Sequence, residues 1–125
     1  MSRNKIKTIF IVEDEINIRE MYKFKLEKEG YSVIIAEDGL QGLQVIQKHK
    51  PDLVLLDLKM PHMSGEQMLS IMRSKNWGAN IRVIVLTNLN KQEADSSLRL
   101  FSVDRYIVKA HTTPNELVKV IRSIE

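Results

Sequence analysis

Apolar residues occur in five runs that are spaced along the whole chain. Three runs are almost unbroken stretches of β-branched and aliphatic residues, and two are shorter. Strands of a parallel sheet have this composition when the sheet is covered on both faces, because every side chain is then buried. The sequence therefore predicts five strands, at residues 6–12, 31–36, 53–56, 81–86 and 106–108.

A different kind of segment follows each predicted strand. Its apolar residues recur every three or four positions, which is the period of one face of an α-helix. The five sets are Ile18, Met21, Tyr22 and Leu26; Leu40, Leu43 and Ile46; Met68, Ile71 and Met72; Ala94, Leu98 and Phe101; and Leu117, Val120, Ile121 and Ile124. The pattern predicts five amphipathic helices that alternate with the strands.

Local signals place the ends of three of these helices. Gly30 lies where the first helix should end, since glycine readily adopts the left-handed conformation that terminates helices. Residues 64–67 and 113–116 resemble capping boxes, and Pro114 suits a first helical turn. Alternating strands and helices imply an α/β fold, a doubly wound (βα)5 domain with a five-stranded parallel sheet flanked by helices on both faces. We expect residues 1–125 to form a single domain.

The composition is that of an ordinary globular domain, with 43% hydrophobic and 28% charged residues. The chain has no cysteine, which excludes disulfides, thiolate chemistry and cysteine-based zinc sites. No apolar run approaches the roughly 18 residues of a membrane span, and the first residues do not form a signal-peptide core. We therefore expect a cytoplasmic protein without membrane contact. The formal charge of +3 is spread over helical segments of mixed sign, so we expect no direct nucleic acid binding.

The residues that follow the predicted strands are polar and together could form a reactive site. Glu13 and Asp14 follow the first strand, Asp57 the third, Thr87 the fourth and Lys109 the fifth. Each alone could be an ordinary capping or turn residue. Together they meet at one place, because the ligands of such sheets bind beyond the carboxyl ends of the strands. The sequence places three carboxylates, a hydroxyl and an amine at one edge of the sheet.

The three carboxylates indicate a divalent cation. Carboxylates held about 4 to 6 Å apart repel one another by roughly a few kcal/mol per pair at an effective dielectric near 20. Mg²⁺ (or Mn²⁺) relieves this repulsion with the oxygen ligands that it prefers, and it leaves room for a phosphate oxygen. Zinc is not expected, since His49, His62 and His111 are not at the spacing of zinc ligands.

A carboxylate beside such a cation can attack a phosphoryl group and form an acyl phosphate. Asp57 is the candidate nucleophile, because it lies centrally while Glu13 and Asp14 share a neighbouring loop. Lys109 and the hydroxyl of Thr87 can hold the phosphoryl oxygens from the other side. The set suits phosphoryl transfer to Asp57.

With these residues the chain resembles the receiver domains of response regulators in bacterial and archaeal two-component systems, from residue 6 to about residue 124. The resemblance rests on five motifs in order, Ile-Val-Glu-Asp-Glu (11–15), Pro-Asp-Leu-Val-Leu-Leu-Asp-Leu-Lys-Met-Pro (51–61), Met-Ser-Gly (63–65), Val-Leu-Thr (85–87) and Tyr-Ile-Val-Lys (106–109). It implies a flavodoxin-like fold and a single-domain protein similar to chemotaxis regulators.

The resemblance also implies a role for each residue at the sheet edge. These roles are Asp57 as phosphoacceptor; Glu13, Asp14, Asp57 and the backbone carbonyl of Lys59 at the metal; and Thr87 and Lys109 at the phosphoryl group. Tyr106 would be a switch aromatic that turns inward on phosphorylation and remodels the surface of the helix after the fourth strand, the fifth strand and the last helix. Periodicity alone favours an ordinary half-buried strand aromatic at Tyr106.

The implied function is a phosphorylation-dependent switch that assists its own phosphoryl transfer and dephosphorylation, rather than an enzyme. The donor would be a sensor histidine kinase or a histidine phosphotransfer protein that docks on the first helix and the loop after the fifth strand, with Ile16, Asn17 and Phe24 as candidate specificity positions. The output would be a downstream protein target or an output domain removed from this chain. The family also includes homodimers formed through the last two helices.

Four positions depart from the family pattern. Glu13 replaces the commoner aspartate and keeps the charge, so metal binding should survive. Ala110 replaces a proline that often follows a cis bond; a cis bond without proline costs roughly 3 to 4 kcal/mol, so we expect a trans bond and a differently aimed Lys109. Asn88 and Leu89 follow the threonine where a small residue is usual. They predict a narrower pocket mouth and slow hydrolysis of the phosphoryl group.

Three other functions compete with this interpretation. A hydrolase of the haloacid dehalogenase type also uses an aspartate nucleophile and Mg²⁺, but it usually has a second aspartate two residues later, where this chain has Lys59. A nucleotide or flavin binder would carry a glycine-rich phosphate loop after the first strand, and none is present. The main alternative is a receiver-like scaffold that binds partner proteins without being phosphorylated.

Overall fold

A computed structural model describes residues 5–88 and 101–125 of the chain. Its five strands form one parallel sheet in the order β2-β1-β3-β4-β5, which confirms the predicted fold class. The strands are β1 (Thr8–Val12), β2 (Ser32–Ala36), β3 (Leu53–Asp57), β4 (Arg82–Thr87) and β5 (Arg105–Val108). Both β3 and the apolar part of β4 are fully buried, as their unbroken apolar runs predict.

Four α-helices lie within the described residues. They are α1 (Ile16–Lys28), α2 (Gly39–His49), α3 (Gly65–Arg73) and α4 (Pro114–Ser123). The helix predicted after the fourth strand carries Ala94 and Leu98, which are outside the described residues. Short 3-10 turns lie at Asn76–Gly78 and Lys109–His111. None of the helices in residues 5–88 and 101–125 is long and apolar enough to cross a bilayer.

The predicted helix ends are confirmed. Helix α1 ends at Lys28, and Gly30 follows with a φ of 99°, a left-handed conformation that side chains disfavour. Ser64 and Thr113 both accept hydrogen bonds from the backbone N–H three residues later, and the third-position side chains return the bond, so both capping boxes are complete.

The core lies on both faces of the sheet. Alternate residues of β1 point to opposite sides, so that Ile9 and Ile11 join one buried cluster while Phe10 and Val12 join the other. The first cluster includes buried residues of α1 and α4, and the second includes those of α2 and α3. This arrangement is the predicted doubly wound sheet.

Three apolar residues predicted to face the core are exposed instead. Met21 in α1, Leu40 in α2 and Ile71 in α3 are 43%, 48% and 36% exposed. A helix on a sheet buries a stripe set by its angle to the strands, so an apolar residue beside the stripe stays in solvent. In α1 the stripe includes Arg19, which is buried although it is charged.

Candidate functional site

Two parallel strands bring the first acidic residues together at the carboxyl edge of the sheet. Val12 pairs with Leu56, so the residues that follow them, Glu13 and Asp57, lie side by side. The N–H of Glu13 donates to the carbonyl of Ala36 at 3.1 Å, which holds the turn after β1 against the end of β2. Backbone pairing alone therefore places these residues side by side at the polar edge of the sheet.

The start of α3 passes very close to Asp57. The N–H of Gly65 donates to the carbonyl of Leu58 at 2.9 Å. A Cβ atom placed on Gly65 would lie 2.1 Å from the backbone oxygen of Asp57, closer than any side chain can come. Glycine at this position lets the α3 N-terminus pack directly on the end of β3.

The structure brings the three predicted carboxylates together. One oxygen each of Glu13, Asp14 and Asp57 lies within 4.8 Å of the other two. Glu13 is fully buried and Asp57 is 4% exposed, whereas Asp14 is exposed and forms the solvent side of the cluster. We refer to these three residues as the acidic cluster.

Lys109 reaches into the acidic cluster from the end of β5. Its Nζ atom donates to Oε1 of Glu13 at 2.5 Å and lies 3.3 Å from Oδ2 of Asp57, with Glu15 at 3.9 Å. The structure has no cis peptide bond in its described residues, so the bond to Ala110 is trans, as expected. The Lys109 side chain is 5% exposed and points at the cluster even without the usual proline.

The buried charges shift one another's protonation. Burial, followed by the hydrogen bond and charge of Glu13, raises the pKa of Asp57 far above its ordinary value, although Lys109 acts to lower it. Burial acts to lower the pKa of Lys109, but the hydrogen bond to Glu13 and the charges of Asp57 and Glu13 outweigh it, and the pKa is raised. Lys109 therefore stays charged while the carboxylates crowd one another.

One oxygen of the site lacks a partner. Oε2 of Glu13 is buried and accepts no hydrogen bond from the described residues. A buried carboxylate oxygen without a donor or cation is unfavourable, because it has lost its water without compensation. The acidic cluster therefore has a place for one more positive group or donor.

Comparison with known proteins identifies the family. Residues 9–122 match the response regulator receiver domain. The chain belongs to the response-regulator receiver domain family. It is thus a flavodoxin-like receiver domain of two-component systems, and the family is regulatory.

Individual receiver domains show how close the likeness is. The chain is 46% identical over 79 residues, 63% of its length, to sporulation initiation phosphotransferase F of Bacillus subtilis. It spans 62% of that relative's length, and about half the length of several longer curated relatives.

Two solved structures share the fold over 96% of this chain. Chemotaxis protein CheY4 of Vibrio cholerae is 26% identical, with a TM-score of 0.89 over 99% of its chain. Response regulator TrrA of Thermotoga maritima, in complex with Mg²⁺–BeF, is 33% identical, with a TM-score of 0.82 over 100% of its chain.

The structure also describes the other predicted site residues of this receiver domain. Thr87 ends β4, is 2% exposed and follows Leu86, which pairs with Asp57. Lys59 is exposed, two residues beyond Asp57. Tyr106 is half-buried on β5 against the second core cluster. The roles given to these residues in phosphoryl binding, metal binding and switching stay predictions, as does the effect of Asn88, which is exposed, and of Leu89, which is outside the described residues.

Sequence reasoning missed one charged residue of the receiver site. Arg19 in α1 is 5% exposed, and its Nη1 atom donates to the backbone carbonyl of Glu13 at 3.0 Å. A signal for it exists in the sequence, because Arg19, Tyr22 and Leu26 stand at the i, i+3, i+7 spacing of a buried helix face. Arg19 was not predicted to be buried, because charged residues are seldom fully buried.

Proposed function

We propose that this receiver domain accepts a phosphoryl group on Asp57 and works as a phosphorylation-dependent signalling switch. The observation that carries the proposal is the buried carboxylate of Asp57, held between Lys109 at 3.3 Å and the carboxylates of Glu13 and Asp14. An aspartate that only ends a strand gains nothing from two further carboxylates beside it, because they repel its charge. A nucleophile that acts beside a bound cation uses those carboxylates as ligands of the cation.

The acidic cluster fits a divalent cation such as Mg²⁺ or Mn²⁺. When ionised, its three carboxylates and Lys109 carry a formal charge of −2. Oε2 of Glu13 is a buried oxygen without a partner among the described residues. Mg²⁺ sites in proteins have oxygen ligands and a net negative charge that the ion neutralises. The structure of TrrA in complex with Mg²⁺–BeF supports a site of the same kind here. Glu13, Asp14, Asp57 and the backbone carbonyl of Lys59 would hold the ion, which when bound neutralises charge on the phosphoryl oxygens.

The residues of the chain perform the transfer itself. A carboxylate oxygen of Asp57 attacks phosphorus, an O–P bond forms, and the P–N bond to the donor histidine breaks as the imidazole leaves. Lys109 stands where it can pass from Asp57 to a phosphoryl oxygen, and Thr87 offers a hydroxyl at the end of the adjacent strand. Attack by water on the acyl phosphate then restores the carboxylate and releases phosphate. The domain assists both steps without being a turnover enzyme.

The donor surface of our proposal extends along α1 from its first residue, Ile16, to Phe24. Ile16 and Phe24 are 61% and 65% exposed, and Asn17 beside them is also exposed. Large apolar side chains that are exposed on one helix can be buried by packing against a helix of a partner protein. We therefore propose that a sensor histidine kinase or a histidine phosphotransfer protein docks here, next to the turn that carries Glu13 and Asp14.

We propose that the output of the switch leaves through β5 and α4. In this proposal, Thr87 at the end of β4 and Tyr106 on β5 link Asp57 to an output surface on β5 and α4. Ala94 and Leu98 of the helix predicted after the fourth strand, the third part of that surface, are outside the described residues. In our proposal this surface changes when Asp57 is phosphorylated, and a downstream protein or an output domain reads the change. Homodimerisation through the same surface stays a prediction.

Intact-mass spectrometry tests the proposal. The domain is incubated with acetyl phosphate or phosphoramidate and Mg²⁺, and we expect the gain of one phosphoryl mass that a chelator prevents. Asp57→Asn should show no adduct. Asp52→Asn is the matched control, because Asp52 lies at the other end of β3 and should leave the adduct intact. No adduct with either donor in the wild-type domain would favour the unphosphorylated scaffold instead.

A further inference from the structure

A buried guanidinium lies directly behind the acidic cluster. Arg19 is near the start of α1, and its side chain is 7% exposed. Its Nη1 atom donates to the carbonyl of Glu13 at 3.0 Å, while its Nε atom is buried without a hydrogen-bond partner among the described residues. Arginine is almost never fully buried unless its charge is paired.

Ion pairing does not explain the burial of Arg19. The nearest carboxylate oxygens belong to Glu20, 3.9 Å from Nε, and Glu37, 4.0 Å from Nη2. Both distances are at the limit of an ion pair, and both acidic side chains are more than half exposed, so water screens them. The one short polar contact that the Arg19 side chain makes with the described residues is its bond to the backbone carbonyl of Glu13.

That contact is the second of two hydrogen bonds that hold the turn carrying Glu13 and Asp14. The N–H of Glu13 donates to the carbonyl of Ala36 at 3.1 Å, so β2 holds the peptide from one side. Arg19 holds the carbonyl of the same residue from the other side. Glu13 and Asp14 are consecutive, so fixing the carbonyl between them fixes the peptide plane from which both side chains extend.

We infer that Arg19 is a positioning residue, which holds the Glu13–Asp14 turn in the geometry that binds the divalent cation. The inference rests on the proposed function of the acidic cluster. Groups that orient metal ligands typically change metal affinity by about 10- to 100-fold when they are removed. A positive charge near the cluster has the opposite effect, because it repels the cation. Loss of Arg19 therefore weakens Mg²⁺ binding if the residue positions the turn, and strengthens it if the residue acts only through its charge.

Isothermal titration calorimetry with Mg²⁺ separates these two effects. For Arg19→Met we expect affinity to fall about tenfold relative to the wild-type domain. Arg19→Lys keeps the charge but loses the planar fork, so we expect a smaller fall. Arg122→Met is the matched control, since Arg122 is an exposed arginine paired with Glu29 and should leave Mg²⁺ affinity unchanged. Unchanged or tighter binding in both Arg19 variants would overturn the inference.

Two further measurements distinguish positioning from a purely structural role. Circular dichroism melting gives the folded fraction of each variant, and Arg19→Lys keeps the test open if Arg19→Met does not fold. The rate of phosphorylation by acetyl phosphate is then measured against Mg²⁺ concentration. Positioning raises the half-saturating Mg²⁺ concentration and leaves the rate at saturation near that of the wild type; a fall of the saturated rate alone would contradict it. If the wild-type domain binds no Mg²⁺ at all, the proposed function fails as well.

Discussion

At the scale of single residues, Asp57 shows a conflict between function and stability. Its carboxylate is buried beside that of Glu13, and the raised pKa records how unfavourable its ionised form is. Charges about 4 Å apart repel by roughly 4 kcal/mol at an effective dielectric of 20, and Lys109 offsets part of this. We therefore expect Asp57→Asn to stabilise the metal-free domain by about 1 to 2 kcal/mol at neutral pH, measured by urea denaturation in the presence of a chelator.

The control for this prediction is an aspartate at the other end of the same strand. Oδ2 of Asp52 accepts hydrogen bonds from the N–H groups of Lys7 and Thr8, both at 2.9 Å. Removing its charge weakens two charge-assisted bonds, so Asp52→Asn should destabilise the domain by about 1 kcal/mol. Equal changes of the same sign in both variants would show that the acidic cluster holds no unfavourable charge.

At the scale of elements, the contact between α3 and β3 is set by a single glycine. A Cβ on Gly65 would meet the backbone oxygen of Asp57 at 2.1 Å, and neither backbone can give way without moving α3 or the site. We expect Gly65→Ala to destabilise the domain by about 3 kcal/mol and to slow phosphorylation of Asp57. Thermal melting and intact-mass kinetics measure the two effects.

Gly30 provides the matched glycine control. It has a φ of 99°, but no atom lies within 4 Å of the position that a Cβ would take, so alanine there meets strain without a clash. Gly30→Ala should destabilise the domain by about 1 to 2 kcal/mol and leave the phosphorylation rate unchanged at temperatures where the variant is folded. A similar loss of rate in both variants would mean that Gly65 acts through general stability and not through Asp57.

A second element-scale contact joins the loops before α2 and α3. Oδ1 of Asp38 accepts from the N–H of Gln41 at 2.8 Å, and Oδ2 lies 2.8 Å from Nδ1 of His62. The bond from Gln41, and then the bond from His62, lower the pKa of Asp38. Because the folded-state pKa is depressed, this contribution is present above the unfolded-state pKa, near 4, and is lost as the pH falls through the folded-state value.

Asp38→Ala should therefore destabilise the domain by about 1 kcal/mol at neutral pH, the usual effect of removing a helix cap. The difference between wild type and variant should shrink as the pH is lowered toward about 3. Urea denaturation across this range measures it. A difference that stayed constant with pH would show that the carboxylate charge of Asp38 contributes nothing to the cap.

The sequence predicted these elements well where one physical signal dominates. The unbroken run in β3 is typical of a strand covered on both faces, and both capping boxes formed as predicted. Helix faces were harder, because Met21 and Arg19 lie on different sides of α1 and residue type alone points to the wrong one as buried. The angle between helix and sheet decides which is covered, and that angle depends on contacts far along the chain.

The same distinction applies to the candidate site. Parallel topology forces strand ends to one edge, so the meeting of Glu13, Asp14 and Asp57 could be predicted from order alone. The bond of Lys109 to Glu13 at 2.5 Å could not, because it depends on how the turn after β5 aims a long flexible side chain. The position of Lys109 at the end of the fifth strand was predicted from the order of strands, while its bond to Glu13 and the contact of Arg19 needed the folded structure.

At the scale of the whole molecule, the acidic cluster exists only in the folded state. Glu13 and Asp57 are 44 residues apart in the chain and meet only through the pairing of β1 with β3. A cation that binds the cluster therefore stabilises the entire domain by mass action. With a dissociation constant of about 1 mM, about 10 mM Mg²⁺ should add roughly 1.4 kcal/mol and raise the melting temperature by a few degrees.

Variants on the exposed side of the cluster make this last prediction specific. Asp14 is exposed, so Asp14→Ala should leave the metal-free fold intact and abolish the Mg²⁺-dependent rise in melting temperature. Glu15→Ala removes the next carboxylate, which is exposed and outside the cluster, and should keep the rise. Sodium chloride at equal ionic strength controls for screening. An equal rise in wild type and Asp14→Ala would mean that Mg²⁺ acts on surface charge in general. If the rise is lost in Asp14→Ala but kept in Glu15→Ala, and if Asp57→Asn melts at a higher temperature without metal, both effects come from the crowded carboxylates of the acidic cluster.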